Sequence, residues 1–323
     1  MVFRCWSWLN SACCETAFLK NSFVSMFWCP NCKTQLQAEE RPRCGSCGSH
    51  YRLQDGFYVF DSSPLVATLE YGHDQYILDI ENAELFDKLH RYIIPNLGEL
   101  RGKKILSVGC GGGADIAELN QLGAQAYGMD FSYRVSQWRN QGLSLAHLFV
   151  SSSRRIPFPL NYFDVILCMG VIEHVSEQLL ATQEYEKLSR ERQEFLNILI
   201  GVLKPGGVFI ITSPNRNFPI DFQHDVYGWL HFFRKYSIYV HSPFTRLLES
   251  YYSLLRHLSS VGVFRAEPLP LKDFFGFNVT KLSPRLALFR KFFEWYARAL
   301  DVMPKYLRYS FLNPYIVLKI TKL

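Results

Sequence analysis

Short apolar runs bounded by turn residues alternate with helix-length segments through the middle of the chain. "KKILSVG", "AQAYGMD", "FDVILCMG" and "GGVFIITSP" have the length and flanks of buried strands. Strands spaced in this way predict an α/β protein with a parallel sheet built from βαβ units. Between the last two strands, "QLLATQEYEKLSRERQEFLNILIGVLKPGG" predicts a long helix closed by a Pro-Gly-Gly turn, and ahead of the first, "ENAELFDKLHRYIIP" predicts a lead-in helix ended by Pro95. From about residue 227 the pattern becomes aromatic and basic. "VYGWLHFFRKYSIYV", "LLESYYSLLRHLSS" and "LALFRKFFEWYARALDVMPKYLRYSF" predict amphipathic helices inserted before a terminal strand, "PYIVLKITK", that rejoins the sheet. Near the other end, "SHYRLQDGFYVF" predicts a hairpin turning at Asp55-Gly56.

Length and composition limit this picture to one large core plus a small appendage: 323 residues, 48% apolar and 20% charged. No apolar run approaches the ~18 residues of a membrane span, so the expectation is a cytoplasmic protein, soluble or peripheral to a membrane. Four segments are expected. Residues 1–25 form an unstructured or spurious extension ahead of Met26 rather than a signal peptide; 26–63 form a small metal-bound unit; 64–230 form the core; 231–323 form a helical lid with the terminal strand. The last segment holds 15 Lys and Arg against 5 Asp and Glu, so the overall charge of +6 belongs to the C-terminal third.

Nine cysteines, an odd number, with Cys110 and Cys168 isolated in apolar runs, fit metal binding in a reducing compartment better than a disulfide framework. Cys29, Cys32, Cys44 and Cys47 form CxxC-x11-CxxC, which offers four thiolates, the usual closed tetrahedral set of a structural zinc. His50 is near enough to substitute but is expected at the surface. With "YRLQDGFYVF" behind it, the stretch resembles the small zinc-ribbon proteins that partner tRNA and protein methyltransferases. A unit of this size lacks an apolar core sufficient for stability, which the metal would supply. On this basis the unit is expected to unfold on chelation without disturbing residues 103–217.

A second motif carries the chemistry. "ILSVGCGGGADIAEL" sets Gly109, Gly111 and Gly113 between a strand and a helix, where a cofactor approaches the backbone more closely than a Cβ permits. "YGMDFS" ends the next strand on Asp130, whose carboxylate is suited to ribose hydroxyls; the alternative is a helix cap. With "IPFPLNYFDVILCMGVIEHV" and "LKPGGVFIITSPN" following in order, the stretch from about 103 to 217 resembles the class I S-adenosylmethionine-dependent methyltransferases, specifically the type 11, quinone-methyltransferase-like subgroup. The resemblance implies a Rossmann-like sheet, mostly parallel, with an antiparallel terminal strand. It implies that Gly109, Cys110, Gly111 and Gly113 line S-adenosyl-L-methionine, that Asp130 binds its ribose with Phe131 against the adenine, and that Met169 and Gly170 sit beside the sulfonium. Two positions depart from the family: Ser107 and Ser152 stand where acidic residues are common, and a hydroxyl offers less than a carboxylate to an ammonium or an amino group.

Methyl transfer from a sulfonium is an in-line displacement that needs a base only when the acceptor must lose a proton. The resemblance places Glu173-His174 toward the substrate, and His174 titrates in the useful range; the pair reads equally well as a cap of the following helix. "SPNRNFPIDFQHDVYGW" adds Asn215, Arg216, Asp221, His224 and Asp225 as candidates for the acceptor side, with His224 equally readable as a loop histidine bonded to Asp221 or Asp225. The stretch also resembles, weakly, methyltransferases of bacterial cell-surface sugars and lipids. The favoured acceptor is therefore a small molecule, sugar or lipid-linked compound methylated at oxygen. RNA is the second reading, a catalytically silent scaffold the third, and the basic aromatic segment is a lid that also suits an anionic acceptor or an anionic membrane surface.

Overall fold

The computed structural model describes residues 27–36, 42–60, 85–140, 142–143, 147–152, 154–221, 239–240, 248–260, 262–272, 274 and 287–323. At its centre are five parallel strands: β3 (Lys104–Val108), β4 (Gln125–Asp130), β5 (Leu148–Val150), β6 (Phe163–Met169) and β7 (Leu203–Pro214). β1 (Arg52–Gln54) and β2 (Phe57–Val59) form a hairpin at one side; β10 (Phe264–Pro268) and β11 (Tyr315–Lys322) close the other. A separate two-residue ladder pairs β8 (Ile220–Asp221) with β9 (Tyr239–Val240). The nine-stranded order is β1-β2-β5-β4-β3-β6-β7-β11-β10, with β11 antiparallel to β7. This is the mostly parallel Rossmann-like sheet with an antiparallel terminal strand that the sequence implied.

Alternation along each strand divides the core between two faces. Ile166 and Cys168 join Leu106, Phe209, Ile211, Leu318 and Ile320 on one side, while Val165 and Leu167 join Ile105, Ile210 and Val317 on the other. Both faces are buried because helices cover them, which is why the central strands read as continuous apolar runs.

The helices are α1 (Ile94–Leu97), α2 (Ala114–Gln121), α3 (Val135–Asn140), α4 (Tyr185–Val202), α5 (Tyr251–Ser259), α6 (Ala287–Val302) and α7 (Lys305–Arg308). Pro95 does not end the lead-in helix. A π turn over Leu89–Ile93 runs into α1, Pro95 lies just past the join of the two, and Gly98 at φ 73° stops the helix. The long helix begins only at Tyr185. Upstream, Ser176 and Gln183 take positive φ around a 3₁₀ turn at Glu177–Leu180, and an α-helix cannot pass through either residue. The "KPGG" segment turns inside β7: Phe163 pairs with Leu203 and Val165 with Val208, so the residues between them leave the ladder with β6, with Gly206 at φ 75°. In "VYGWLHFFRKYSIYV", Tyr239 and Val240 are strand, not helix; the rest of that expected helix, the first 26 residues and the boundary near 63 lie outside the described residues.

The four-cysteine unit is tied to the sheet. β2 pairs parallel with β5, Tyr58 opposite Phe149 and Val59 opposite Val150, and Phe60 N–H donates to the Val150 carbonyl at 2.9 Å. Trp28 N–H donates to the Pro157 carbonyl at 2.9 Å, and Phe27, fully buried, lies 5.6 Å from the rings of Phe149 and Phe158. The unit thus shares one apolar cluster with the sheet instead of standing apart from it in packing. Among the described residues no helix is long and apolar enough to cross a membrane.

Candidate functional site

The two knuckles are one turn made twice. In the first, Cys29 N–H donates to Thr34 O and Lys33 N–H to Cys29 O, with Lys33 at φ 58°; in the second, Cys44 N–H donates to Ser49 O and Gly48 N–H to Cys44 O, with Gly48 at φ 69°. The left-handed residue just after the second cysteine folds each loop back, and the Sγ atoms of Cys29, Cys32, Cys44 and Cys47 all lie within 4.8 Å of one another. Cys29 and Cys47 are 3.5 Å apart and Cys32 and Cys44 3.3 Å, close to the roughly 3.8 Å edge of a tetrahedron with ~2.3 Å zinc–sulfur bonds. The donor set and its spacing fit a zinc ion. His50 is exposed and outside the group, as expected.

At the other end of the hairpin the chain meets the glycine-rich loop. Gly109, Gly111 and Gly113 have φ of 68°, 54° and 80°. A Cβ on Gly109 would stand 2.5 Å from Val171 Cγ2 and one on Gly113 2.9 Å from Leu143 Cδ1, whereas one on Gly111 would meet nothing within 4 Å. Two glycines are therefore required by packing behind the loop, and the third opens onto free space, the cradle a cofactor needs. Asp130 closes one side. Its Oδ2 accepts the Gly111 N–H at 2.8 Å and its Oδ1 the Phe131 N–H at 2.7 Å, so two backbone donors fix the carboxylate at the end of β4. Phe131 leaves 55% of its surface exposed beside it, its ring 6.3 Å from that of Tyr133. Cys110 is buried, and that burial pushes its thiol well above the usual range; Met169 and Gly170 end β6. Ser152 follows β5, next to the end of β4, and its carbonyl accepts the Arg155 N–H.

Ser107 is buried, and its hydroxyl donates to Asp115 Oδ2 at 2.6 Å. The carboxylate missing from the strand is thus present one element later, on the first turn of α2. Burial raises Asp115 to about 6, against the pull of the Ser107 and Ile116 donors. An acid opening a helix directly behind the glycines was the available signal for it in the sequence.

Glu173 and His174 lie in a 3₁₀ turn after β6. Glu173 is fully buried. The half-exposed His174 ring bonds Glu177 Oε2 through Nδ1 at 2.9 Å, and that bond raises the imidazole above its ordinary value. The same bond ties His174 to the first residue of the 3₁₀ turn Glu177–Leu180, so the reading in which the pair orients the following helix also stands; α4 itself starts eleven residues after His174. Asn215 is spent structurally, donating to the Ser310 and Asn313 carbonyls. Arg216 faces a cleft beyond β7; His224 and Asp225 lie outside the described residues, and the side chain of Asp221 is not described.

Sequence reasoning missed the polar floor of that cleft. Arg192, 1% exposed on α4, donates through Nη1 to Glu249 Oε1 at 2.7 Å and through Nη2 to the Glu173 carbonyl at 2.9 Å. An arginine on the apolar stripe of α4 was the only hint.

A family model described as a methyltransferase domain matches residues 78–251. A ubiquinone biosynthesis O-methyltransferase from Shewanella sp. (strain ANA-3) is 27% identical over 131 residues, 39% of this chain and 50% of its own length. One from Yersinia pestis (strain Pestoides F) is 28% identical over 144 residues, 41% and 54%. The chain spans about half the length of these curated relatives. Among solved structures, an S-adenosylmethionine-dependent methyltransferase from Mesorhizobium loti aligns over 75% of this chain and 99% of its own with 15% identity and a TM-score of 0.42.

Proposed function

With the chain a member of the methyltransferase-domain family, we propose that it transfers a methyl group from S-adenosyl-L-methionine to an oxygen of a small-molecule, sugar or lipid-linked acceptor. The observation that carries this reading is the convergence, at the C-terminal ends of β3, β4 and β6, of the open face of Gly111, the pinned carboxylate of Asp130 and the turn bearing His174. The relatives' activity, O-methylation in ubiquinone biosynthesis, supports oxygen as the acceptor atom and the quinone-methyltransferase-like subgroup.

The cofactor supplies an electrophilic methyl on a sulfonium. The glycine loop would hold its methionine and ribose portion, Asp130 would take the ribose hydroxyls, and Phe131 would offer its exposed ring to the adenine. Asp115 behind Ser107 restores a negative charge next to the loop, which weakens the case for a silent scaffold. His174, hydrogen-bonded to Glu177, would take the acceptor's hydroxyl proton, and S-adenosyl-L-methionine would give up its methyl to that oxygen and leave as S-adenosylhomocysteine. The four cysteines hold a structural zinc, consistent with their closed tetrahedral spacing.

Incubation of the protein and methyl-labelled S-adenosyl-L-methionine with fractionated lysate tests the assignment. Label is expected in a small-molecule, glycan or lipid fraction. Label confined to RNA overturns it.

A further inference from the structure

Ser107, near the end of β3, and Asp115, in the first turn of α2, flank the glycine loop and meet behind it through the 2.6 Å hydroxyl bond. Asp115 is 1% exposed. Its second oxygen, Oδ1, accepts the Ile116 N–H at 2.9 Å. Among the described residues no cationic side chain pairs with this carboxylate. Burial raises it to about 6, and the charge that adds to the rise is of its own sign, Asp130 at the end of β4. Near neutrality it is nonetheless ionised. Its field also reaches the loop: the thiol of Cys110, pushed up by burial, is pushed further by both Asp130 and Asp115, with Arg134 opposing them.

A carboxylate held out of water is costly unless a cation offsets the lost solvation, so a buried acid with donors but no cation calls for a reason. Shape does not supply one. An asparagine at 115 has the same outline and can keep the Ile116 bond, while the Ser107 hydroxyl turns to accept from the amide. What the acid adds over its amide is charge. The second carboxylate, Asp130, is fixed on the other side by the Gly111 and Phe131 N–H groups, and between the two the loop opens to free space at Gly111. Two negative charges around an open cradle, partly screened from water, attract a ligand that brings a positive one.

We propose that Asp115, held by Ser107 behind the loop, is the charge by which the cofactor site recognises a cation: it selects a methyl donor for its positive charge over ligands of similar shape that lack one. The proposal rests on the reading of the chain as an S-adenosyl-L-methionine-dependent methyltransferase and adds a specificity-determining residue to it. The donor carries two positive charges, the sulfonium and the ammonium. Transfer moves the methyl to the acceptor oxygen, releases that oxygen's proton and leaves a neutral thioether, so S-adenosylhomocysteine keeps the ammonium alone.

The test is a calorimetric titration of the full chain at neutral pH with three ligands: S-adenosyl-L-methionine, S-adenosylhomocysteine and 5′-methylthioadenosine, which carries neither cation. In Asp115→Asn the donor should bind about ten-fold more weakly or worse, while 5′-methylthioadenosine changes by less than about three-fold. S-adenosylhomocysteine identifies the cation: a loss like the donor's assigns the ammonium, and a loss no larger than that of 5′-methylthioadenosine assigns the sulfonium. Combining Ser107→Asp with Asp115→Ser returns the charge to the strand and should restore donor affinity to within about three-fold of wild type. Glu118→Gln, which removes an equal charge from the side of α2 that meets His90, should leave the ranking of the three ligands intact. An equal loss for all three ligands in Asp115→Asn marks a structural role and overturns the proposal, as does an unchanged donor affinity. A wild-type chain that binds the donor while Asp115→Asn does so equally well removes this inference alone; a wild-type chain that binds none of the three removes the methyl-transfer reading and the inference with it.

Discussion

Phe57 of the hairpin packs against Trp138 of α3 with ring centroids 5.3 Å apart, and the same indole donates its N–H to the Gly111 carbonyl at 2.8 Å. The hairpin turn adds an Asp55–Arg139 ion pair at 3.2 Å on the same helix. The N-terminal unit therefore reaches the cofactor loop through one intervening side chain. Trp138→Phe keeps the packing but leaves the Gly111 carbonyl without its donor, which costs about 1–3 kcal/mol when such a group is buried. Cofactor affinity measured by calorimetry should fall about ten-fold or more, and Phe57→Leu should weaken it less, with a stability loss of roughly 1 kcal/mol. Unchanged affinity in Trp138→Phe removes the brace. By the same route, a chelator that strips the proposed zinc should weaken cofactor binding together with the unit, in place of the independence that the sequence suggested.

Gly109→Ala meets two obstacles at once, a left-handed φ and a Cβ 2.5 Å from Val171 Cγ2. The backbone contribution alone is about 1–2 kcal/mol, and the clash adds to it. Denaturant unfolding should show a loss of roughly 2–4 kcal/mol. Adding Val171→Ala should recover the steric part while the backbone part stays; a double variant no better than the single one would assign the whole effect to φ.

Asp115, raised to about 6 by burial, binds a proton more tightly in the folded chain than in the unfolded one. Its contribution to stability is fully present at low pH and is lost as pH rises from about 4 through 6. The slope integrates to roughly 3 kcal/mol for a group so completely buried. Unfolding free energies of wild type and Asp115→Asn across this window should differ in slope, with the asparagine variant flatter. Parallel curves would show that Asp115 is ionised without penalty.

Glu177 raises the imidazole it touches, so the neutral, proton-accepting form of His174 disappears on the acid side at a higher pH than it otherwise would. Glu177→Gln should move the acid limb of the kcat profile to lower pH, and His174→Gln should abolish the limb and most of the rate on a hydroxyl acceptor, a loss of about 10²–10⁴-fold. An unshifted limb in Glu177→Gln would exclude His174 as the titrating base.

The elements that were legible in the sequence were those whose pattern is made locally. β3, β4, β6 and β11 are short apolar runs between turn residues, and the glycines of the loop announce their own backbone conformation. β5 escaped notice because only Leu148–Val150 pair, too short a run to show a period, and β10 because its half-exposed "FRAEP" carries no apolar stripe. Asp115 and Arg192 escaped for another reason. Asp115 meets Ser107 only because the loop turns the chain back on itself between β3 and α2, and Arg192 meets Glu249, 57 residues further on, only through the fold.

The pairing of β2 with β5 also fixes an order of events during synthesis. The hairpin leaves the ribosome about ninety residues before its partner strand, since Val59 must wait for Val150. During that interval Phe57 and Val59 have no sheet to bury against. The last strand on that side of the sheet is thus the first one made, and the nascent chain docks onto it in sequence separation rather than by neighbouring contact, so folding is expected to be slow relative to a sheet assembled from adjacent strands.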